Sequence, residues 1–117
     1  MKKRYMKSQH EPRMATLDGE KYPIMLTMNA LAEIEEEANM PFAAFFDKIA
    51  TGQGTLKDQV ILLLACLHGG GTDISEEELM ALDFTADIMP LWALVTDMVA
   101  EQAPFDEGDD PGKKPKA

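Results

Sequence analysis

The sequence predicts a mainly α (α+β) fold, with an N-terminal β-hairpin followed by a compact domain of four to five helices. Three observations indicate this fold. An Asp-Gly pair at residues 18–19 lies between alternating apolar residues, and apolar residues recur at helical spacing through most of residues 28–102. Glycine, proline and capping residues divide that region into segments.

The length of 117 residues fits one domain with a real core. Residues 1–12 are polar and basic, and residues 104–117 consist mostly of proline, glycine and charged residues. Neither stretch can bury enough apolar surface to offset the entropy of ordering. We therefore expect a flexible basic N-terminal tail at 1–12, a single globular helical domain at 13–103, and a disordered C-terminal tail at 104–117.

The hairpin is predicted from two strands, Arg13–Leu17 and residues 21–26, that flank Asp18-Gly19-Glu20. Pro23 cannot donate a hydrogen bond to a neighbouring strand, so its strand should lie at an edge. Thr27 is a suitable N-cap for a first helix over Met28–Ala38.

A second helix is expected from Pro41, which fits a first turn, to about Ile49. Its apolar face combines several large side chains: Phe42, Phe45, Phe46 and Ile49. Thr55 should cap a third helix that is apolar nearly all round and ends at the glycines 69–71, so we expect it to be the most buried helix.

Ser75 and Glu78 have the spacing of a capping box, which predicts a short fourth helix over residues 76–82. Pro90 leaves the start of the last helix open, but the apolar spacing beyond it predicts a helix ending near Gln102. The predicted core contains eight residues: Leu31, Ile34, Phe45, Leu63, Leu64, Leu67, Trp92 and Val95.

The formal net charge of −10 argues against nucleic acid and anionic membrane surfaces as partners. No stretch resembles a signal peptide or the roughly 20 apolar residues of a transmembrane helix. The single cysteine, Cys66, excludes an internal disulfide and favours a reducing compartment. We expect a cytoplasmic protein.

No pattern predicts catalysis. The His68 to Gly71 stretch matches the oxyanion loop of some esterases, but the chain lacks the G-x-S-x-G motif that such chemistry needs. A basic residue in a last helical turn, followed by a glycine stop, accounts for it. Glu33 to Glu37 lack the Glu-x-x-His pairs of di-metal bundles and should form a solvated face. We therefore expect no enzyme activity, no catalytic, cofactor-binding or metal site, and no cofactor.

Methionine is in excess, with nine residues. Its flexible thioether suits irregular gaps in a core, and it also suits surfaces that re-pack against apolar helices. Both interpretations stay open at this point, and the second one predicts a binding groove.

Three segments together resemble the tail assembly chaperones of long-tailed bacteriophages and gene transfer agents. They are LDGEKYPIMLTMNALAEIEEEANMPFAAFF, GQGTLKDQVILLLACLHGGG and DISEEELMALDF. The resemblance covers roughly residues 15–102. It lies in the order of a hairpin, a helix with Leu31-Ala32-Glu33-Ile34-Glu35, an apolar helix ending in glycines, and an S-E-E-E-L helix.

This resemblance implies a mainly helical protein that binds the tape measure protein, keeps it soluble and helps the tail tube protein assemble around it. It also implies a location in the bacterial host cytoplasm and absence from the mature virion. A structural tail or head–tail connector protein, which would form rings and stay with the particle, is the alternative. We also expect that copies of the chain can associate as a homo-oligomer. Six apolar side chains are predicted to contact the partner: Met25, Met28, Phe42, Phe46, Met80 and Met89.

Overall fold

The computed structural model describes residues 13–102, and the expected tails at 1–12 and 104–117 lie outside that range. The described part contains an antiparallel hairpin followed by helices, as the sequence predicts. Its elements in chain order are β1 (Arg13–Leu17), β2 (Glu20–Ile24), α1 (Met28–Ala38), α2 (Phe42–Ala50), α3 (Leu56–Gly69), α4 (Glu76–Met80), a π-helical turn (Phe84–Ile88) and α5 (Met89–Gln102).

The hairpin turn contains two residues, Asp18 and Gly19, whose φ angles are +53° and +84°. A two-residue turn with both angles positive matches the right-handed twist of the paired strands, and Asp-Gly tolerates it well. Because Glu20 pairs with Leu17, β2 begins one residue earlier than the sequence suggested, and it ends at Ile24 instead of residue 26.

The first two helices follow the sequence closely. The Thr27 side chain accepts a hydrogen bond from the Ala30 N–H at 3.0 Å, and Asn39 ends α1 in the left-handed conformation with φ of +58°. The Glu35 carboxylate accepts the N–H of Phe42 at 2.9 Å, so a side chain of α1 caps the start of α2.

Helix α3 is the centre of the molecule, since every residue from Val60 to Leu67 is buried. Its N-terminus has a capping box formed by Thr55 and Asp58. The Asp58 carboxylate accepts the Thr55 N–H at 3.0 Å and lies 2.9 Å from Lys48 Nζ. The Thr55 hydrogen bond, helped by Lys48, lowers the pKa of Asp58 despite the burial that opposes ionisation.

The end of α3 contacts the backbone of the hairpin's exit. A Cβ at Gly69 would overlap the carbonyl oxygen of Met25, and one at Gly70 would overlap the carbonyl oxygen of Pro23. The Met25 N–H also donates to the Cys66 carbonyl at 3.0 Å. These two glycines therefore let a strand end lie directly against a helix end.

The chain after α3 differs from the sequence prediction in two places. Ser75 and Glu78 form the predicted capping box, but α4 ends at Met80 rather than at residue 82. A π-helical turn then precedes α5, and the Met89 N–H bonds the Phe84 carbonyl five residues back. Pro90 has no N–H and so cannot form another hydrogen bond to the carbonyl five residues back. The π-helical turn therefore gives way to α-helix next to Pro90.

Two polar contacts join the hairpin to the C-terminal elements. Arg13 of β1 lies 2.6 Å from the Glu101 carboxylate of α5. The Asp87 carboxylate, which is buried, accepts the N–H of Asp18 at 3.0 Å and that of Asp83 at 3.3 Å. One buried carboxylate thus caps both the hairpin turn and the π-helical turn.

The predicted core is present, with two differences of degree. Six of its members are buried: Ile34, Phe45, Leu63, Leu64, Leu67 and Val95. Leu31 and Trp92 pack against this core but are only partly buried.

Gly70→Ala should destabilise the fold by about 1–3 kcal/mol or more, because the added methyl would overlap a backbone oxygen that no side-chain rotation can move. Gly54→Ala is the matched control, since its Cβ would approach mainly the flexible Ile49 side chain. Urea unfolding followed by circular dichroism measures both variants. Equal unfolding midpoints for the two variants would contradict the close backbone contact.

Candidate functional site

An apolar groove lies between α2 and α5 and has a volume of about 570 Å³. Side chains of α2 form one wall, side chains of α5 form the other, and Leu62 of the buried α3 lies between them. The lining residues are Ala43, Phe46, Asp47, Ile49, Ala50, Leu62, Trp92, Thr96, Val99 and Ala100.

The wall on α2 results from the spacing of its aromatic residues. Phe45 is fully buried and points to the core, whereas Phe46 is one position further round the helix and reaches the groove. The Phe46 ring packs edge-to-face on Phe45 at a centroid distance of 5.6 Å and on Phe42 at 6.3 Å. These contacts hold the Phe46 ring in place as a preformed apolar surface.

The wall on α5 is made by Trp92, Thr96 and Val99, which are three or four residues apart and therefore share one face of the helix. The Thr96 hydroxyl donates to the Ala93 carbonyl of its own helix at 3.1 Å. That polar group is thus satisfied internally, and Asp47 is the charged residue among those lining the groove. The groove is suited to apolar side chains with a positive charge beside them.

The six residues predicted to contact a partner lie on different parts of the surface. Phe46 lines the groove and Phe42 packs on its ring. The four methionines are not among the lining residues. Three of them are strongly exposed, with Met28 at 80%, Met80 at 55% and Met89 at 52% of their full accessibility, and Met25 is partly buried.

Sequence reasoning missed most of the groove. Trp92 and Ile49 were assigned to apolar helix faces, but nothing in the sequence shows that α2 and α5 stay far enough apart to leave these side chains accessible. The large aromatic residues at helical spacing were the feature of the sequence from which the groove could have been predicted. Met98 fills the core, as the first interpretation of methionine predicts, whereas Met28, Met80 and Met89 are exposed. That these exposed methionines bind a partner stays a prediction.

His68, in the last turn of α3, links three elements. Its Nδ1 lies 2.9 Å from the Glu33 carboxylate of α1, and its Nε2 lies 2.7 Å from the carbonyl oxygen of Ile74. Both partners are acceptors, so both ring nitrogens must carry a proton for both bonds to form. Glu33 therefore departs from the expected solvated face.

The pKa of His68 reflects this arrangement. Partial burial alone would lower it, but the hydrogen bonds to the Ile74 carbonyl and to Glu33, with the negative charges of Glu33 and Asp73, raise it above its ordinary value of 6.5. When protonated, the side chain is a cationic link at the glycine stop, where it also faces the negative end of α3.

Cys66 lies in the core, and burial, with the nearby Glu33 charge, raises the pKa of its thiol to about 12. Among residues 13–102, no three His, Cys, Asp or Glu side chains are grouped so that they could hold a metal ion. No helix in this described range is both long and apolar enough to cross a membrane.

Comparison with protein families places this hairpin-plus-helices chain among phage tail-related proteins. A family model described as "Phage tail tube protein, GTA-gp10" matches residues 12–102, which is most of the 117-residue chain. The chain belongs to this family. Searches of curated proteins and of solved structures found no match.

The His68 link predicts a pH dependence of stability. A pKa raised by folding stabilises the folded state below the unfolded value near 6.5, and this contribution is lost as the pH rises through the folded pKa. His68→Gln should therefore lower the unfolding midpoint at pH 6 and have a smaller effect at pH 8.5, as measured by thermal melts at both values. A difference between the two proteins that does not change with pH would show that the imidazolium contributes nothing.

Proposed function

We propose that this protein is a tail assembly chaperone that binds the tape measure protein, keeps it soluble in the bacterial cytoplasm and helps the tail tube assemble. The apolar groove between α2 and α5 is the observation that carries the proposal. Family membership supports a role in phage tails, and the resemblance of the sequence to tail assembly chaperones supports the finer assignment.

The groove has the properties needed to bind an amphipathic helix. Such a helix inserts apolar side chains at positions i, i+3, i+4 and i+7 between two walls, and the energy comes from the apolar area removed from water. Phe46 and Trp92 supply large, fixed apolar surfaces on opposite walls. Asp47, at the α2 wall, attracts a Lys or Arg beside the apolar positions of the bound helix.

The charge of the chain addresses the second requirement, which is that the complex stays soluble. Its net charge is −10, and exposed carboxylates such as Glu36, Glu37 and Glu77 lie on helices outside the groove. Several copies bound along one long partner would repel one another and keep the assembly from aggregating. The flexible and exposed Met28, Met80 and Met89 provide further apolar contacts for partner segments of differing sequence.

Co-expression with the longest helical protein of the same gene cluster tests this function. We expect the partner to be soluble with the wild-type chain and insoluble without it, and Ala43→Glu to lose about tenfold or more in binding, since the new carboxylate would enter the apolar groove. Ala44→Glu is the matched control, because Ala44 is the next residue of α2, is exposed and does not line the groove. Both positions lie in the first turn of α2, where a carboxylate is favourable, so both variants should fold.

A pull-down on the partner and the fraction of partner in the soluble lysate are the two measurements. A partner that is equally soluble without this chain would refute the chaperone role. Equal binding by the two variants would show that the groove is not the binding surface.

A structural tail component is the second candidate, favoured by the description of the family as a tail tube protein. Copies in a tube would bury exposed apolar side chains against one another, and Leu56 at 64% and Phe84 at 62% exposure are available for this. If this role is correct, the chain will be found in purified particles by mass spectrometry in many copies. The chaperone role predicts that the chain is present in the lysate and missing from the particles.

A further inference from the structure

We infer that a second copy of this chain binds to the outer edge of β1, so that two β1 strands pair antiparallel and join two hairpins into one four-stranded sheet. The inference goes beyond the proposed function, because it concerns the hairpin and not the groove between α2 and α5. It rests on the free backbone groups of β1, on its lack of acidic residues and on its self-complementary register.

The outer edge of β1 carries backbone groups that point away from β2. Because Leu17 and Glu20 flank a two-residue turn, they form a hydrogen-bonded pair, and bonded and non-bonded pairs alternate from there along the hairpin. The N–H and C=O groups of Met14 and Thr16 therefore point outward. The register pairs Met14 with Pro23, which has no N–H to donate and so fits a non-bonded position.

These outward groups are unpaired within the described part of the chain, where no hydrogen bond reaches the backbone of Met14 or Thr16 from outside the hairpin. The side chains of both residues are exposed, that of Met14 to 49%. Polar contacts from neighbouring elements lie at the two ends of β1, where Arg13 meets Glu101 and the Asp18 N–H bonds a carboxylate of the π-helical turn. The middle of β1 thus presents free donors and acceptors.

Nothing in the sequence of this edge opposes pairing with another strand. Proteins commonly protect edge strands with proline or charged residues, or cover them with another element. Strand β2 has both kinds of protection, because Pro23 lacks an N–H and its carbonyl oxygen lies against Gly70 at the end of α3. From Met14 to Leu17, β1 contains neither a proline nor a charged residue.

Charge selects a second copy of the chain as the occupant of this edge. Copies with a net charge of −10 repel one another, so they associate most readily where acidic side chains are fewest. Among the helices and strands of the described part of the chain, β1 is the only one without an aspartate or glutamate. Pairing through β1 therefore brings two copies together at the element with the least repulsion.

A two-fold axis through Ala15 makes β1 complementary to itself. Antiparallel pairing about this axis places Met14 opposite Thr16 of the second copy, so the outward N–H and C=O groups of both strands exchange hydrogen bonds. Ala15 lies opposite its own equivalent, where its small side chain allows close approach. Arg13 lies opposite Leu17 of the second copy, so no like charges face each other across the pair.

Sedimentation equilibrium of the chain alone is the first test. We expect a dimer whose fraction rises between about 10 µM and 1 mM, the range of weak contacts. Thr16→Pro should weaken association by about tenfold or more, because it removes an N–H from each copy and leaves the opposite carbonyl unpaired. Lys21→Pro is the matched control, since Lys21 pairs with Thr16 in the hairpin and its N–H points away from β1.

Both substitutions remove an N–H that the hairpin does not use, and Pro23 already occupies an outward position of the same kind. Circular dichroism and thermal melts check that both variants fold. A wild-type chain that stays monomeric up to about 1 mM would overturn the inference and leave the edge to a strand of another protein. Equal association by Thr16→Pro and Lys21→Pro would overturn it as well.

Disulfide trapping tests the register without introducing proline. Met14→Cys chains mixed with Thr16→Cys chains should give mainly mixed dimers under mild oxidation, because directly opposite Cα atoms in a bonded pair are about 5.5 Å apart. Met14→Cys mixed with Lys21→Cys is the control, since Lys21 lies one strand further from Met14 of the second copy. The native Cys66 is buried, so it does not compete.

Mass spectrometry separates mixed dimers from dimers of one variant. Equal yields of mixed dimer from the two mixtures would overturn the inference, and so would dimers of one variant as the main product. Both tests use the chain alone, and neither changes a residue that lines the groove. Their outcome is therefore separate from the success or failure of the chaperone proposal.

Discussion

The fold depends on the direct contact between the end of α3 and the exit of the hairpin. Gly69 and Gly70 allow the carbonyl oxygens of Met25 and Pro23 to lie where side chains would otherwise be, and the Met25 N–H bonds the Cys66 carbonyl. The hairpin is thereby fixed against the most buried helix. Only three residues separate Ile24 from the start of α1 at Met28, so that contact also restricts where α1 begins.

Local features of this architecture could be predicted from the sequence, because their causes lie within a few residues. The Thr27 cap, the Ser75 and Glu78 capping box and the Asp-Gly turn each involve neighbouring positions, and all three are confirmed. The π-helical turn was missed because its buried Asp87 is held partly by the Asp18 N–H, which is 69 positions away. Contacts of that range leave no periodicity in a sequence.

The groove, too, depends on long-range packing that a sequence pattern does not reveal. Phe46 and Trp92 both follow helical spacing, and each pattern alone indicates a core residue. Whether such a side chain is covered depends on how far apart α2 and α5 are held by α3, which is a property of packing. The methionine excess indicated a binding surface in general terms, but the methionines do not line this groove.

An open apolar groove on a protein of net charge −10 reconciles two opposing requirements. Binding to apolar helices needs accessible apolar surface, and the same surface promotes aggregation of the unbound protein. The negative charges on neighbouring copies repel one another and oppose aggregation. At ordinary salt concentrations this repulsion extends over about 8–10 Å. At contact this repulsion is opposed by the free energy gained from burying apolar area, so the acidic surface reduces association of free copies through the groove while the groove itself stays open to a partner helix.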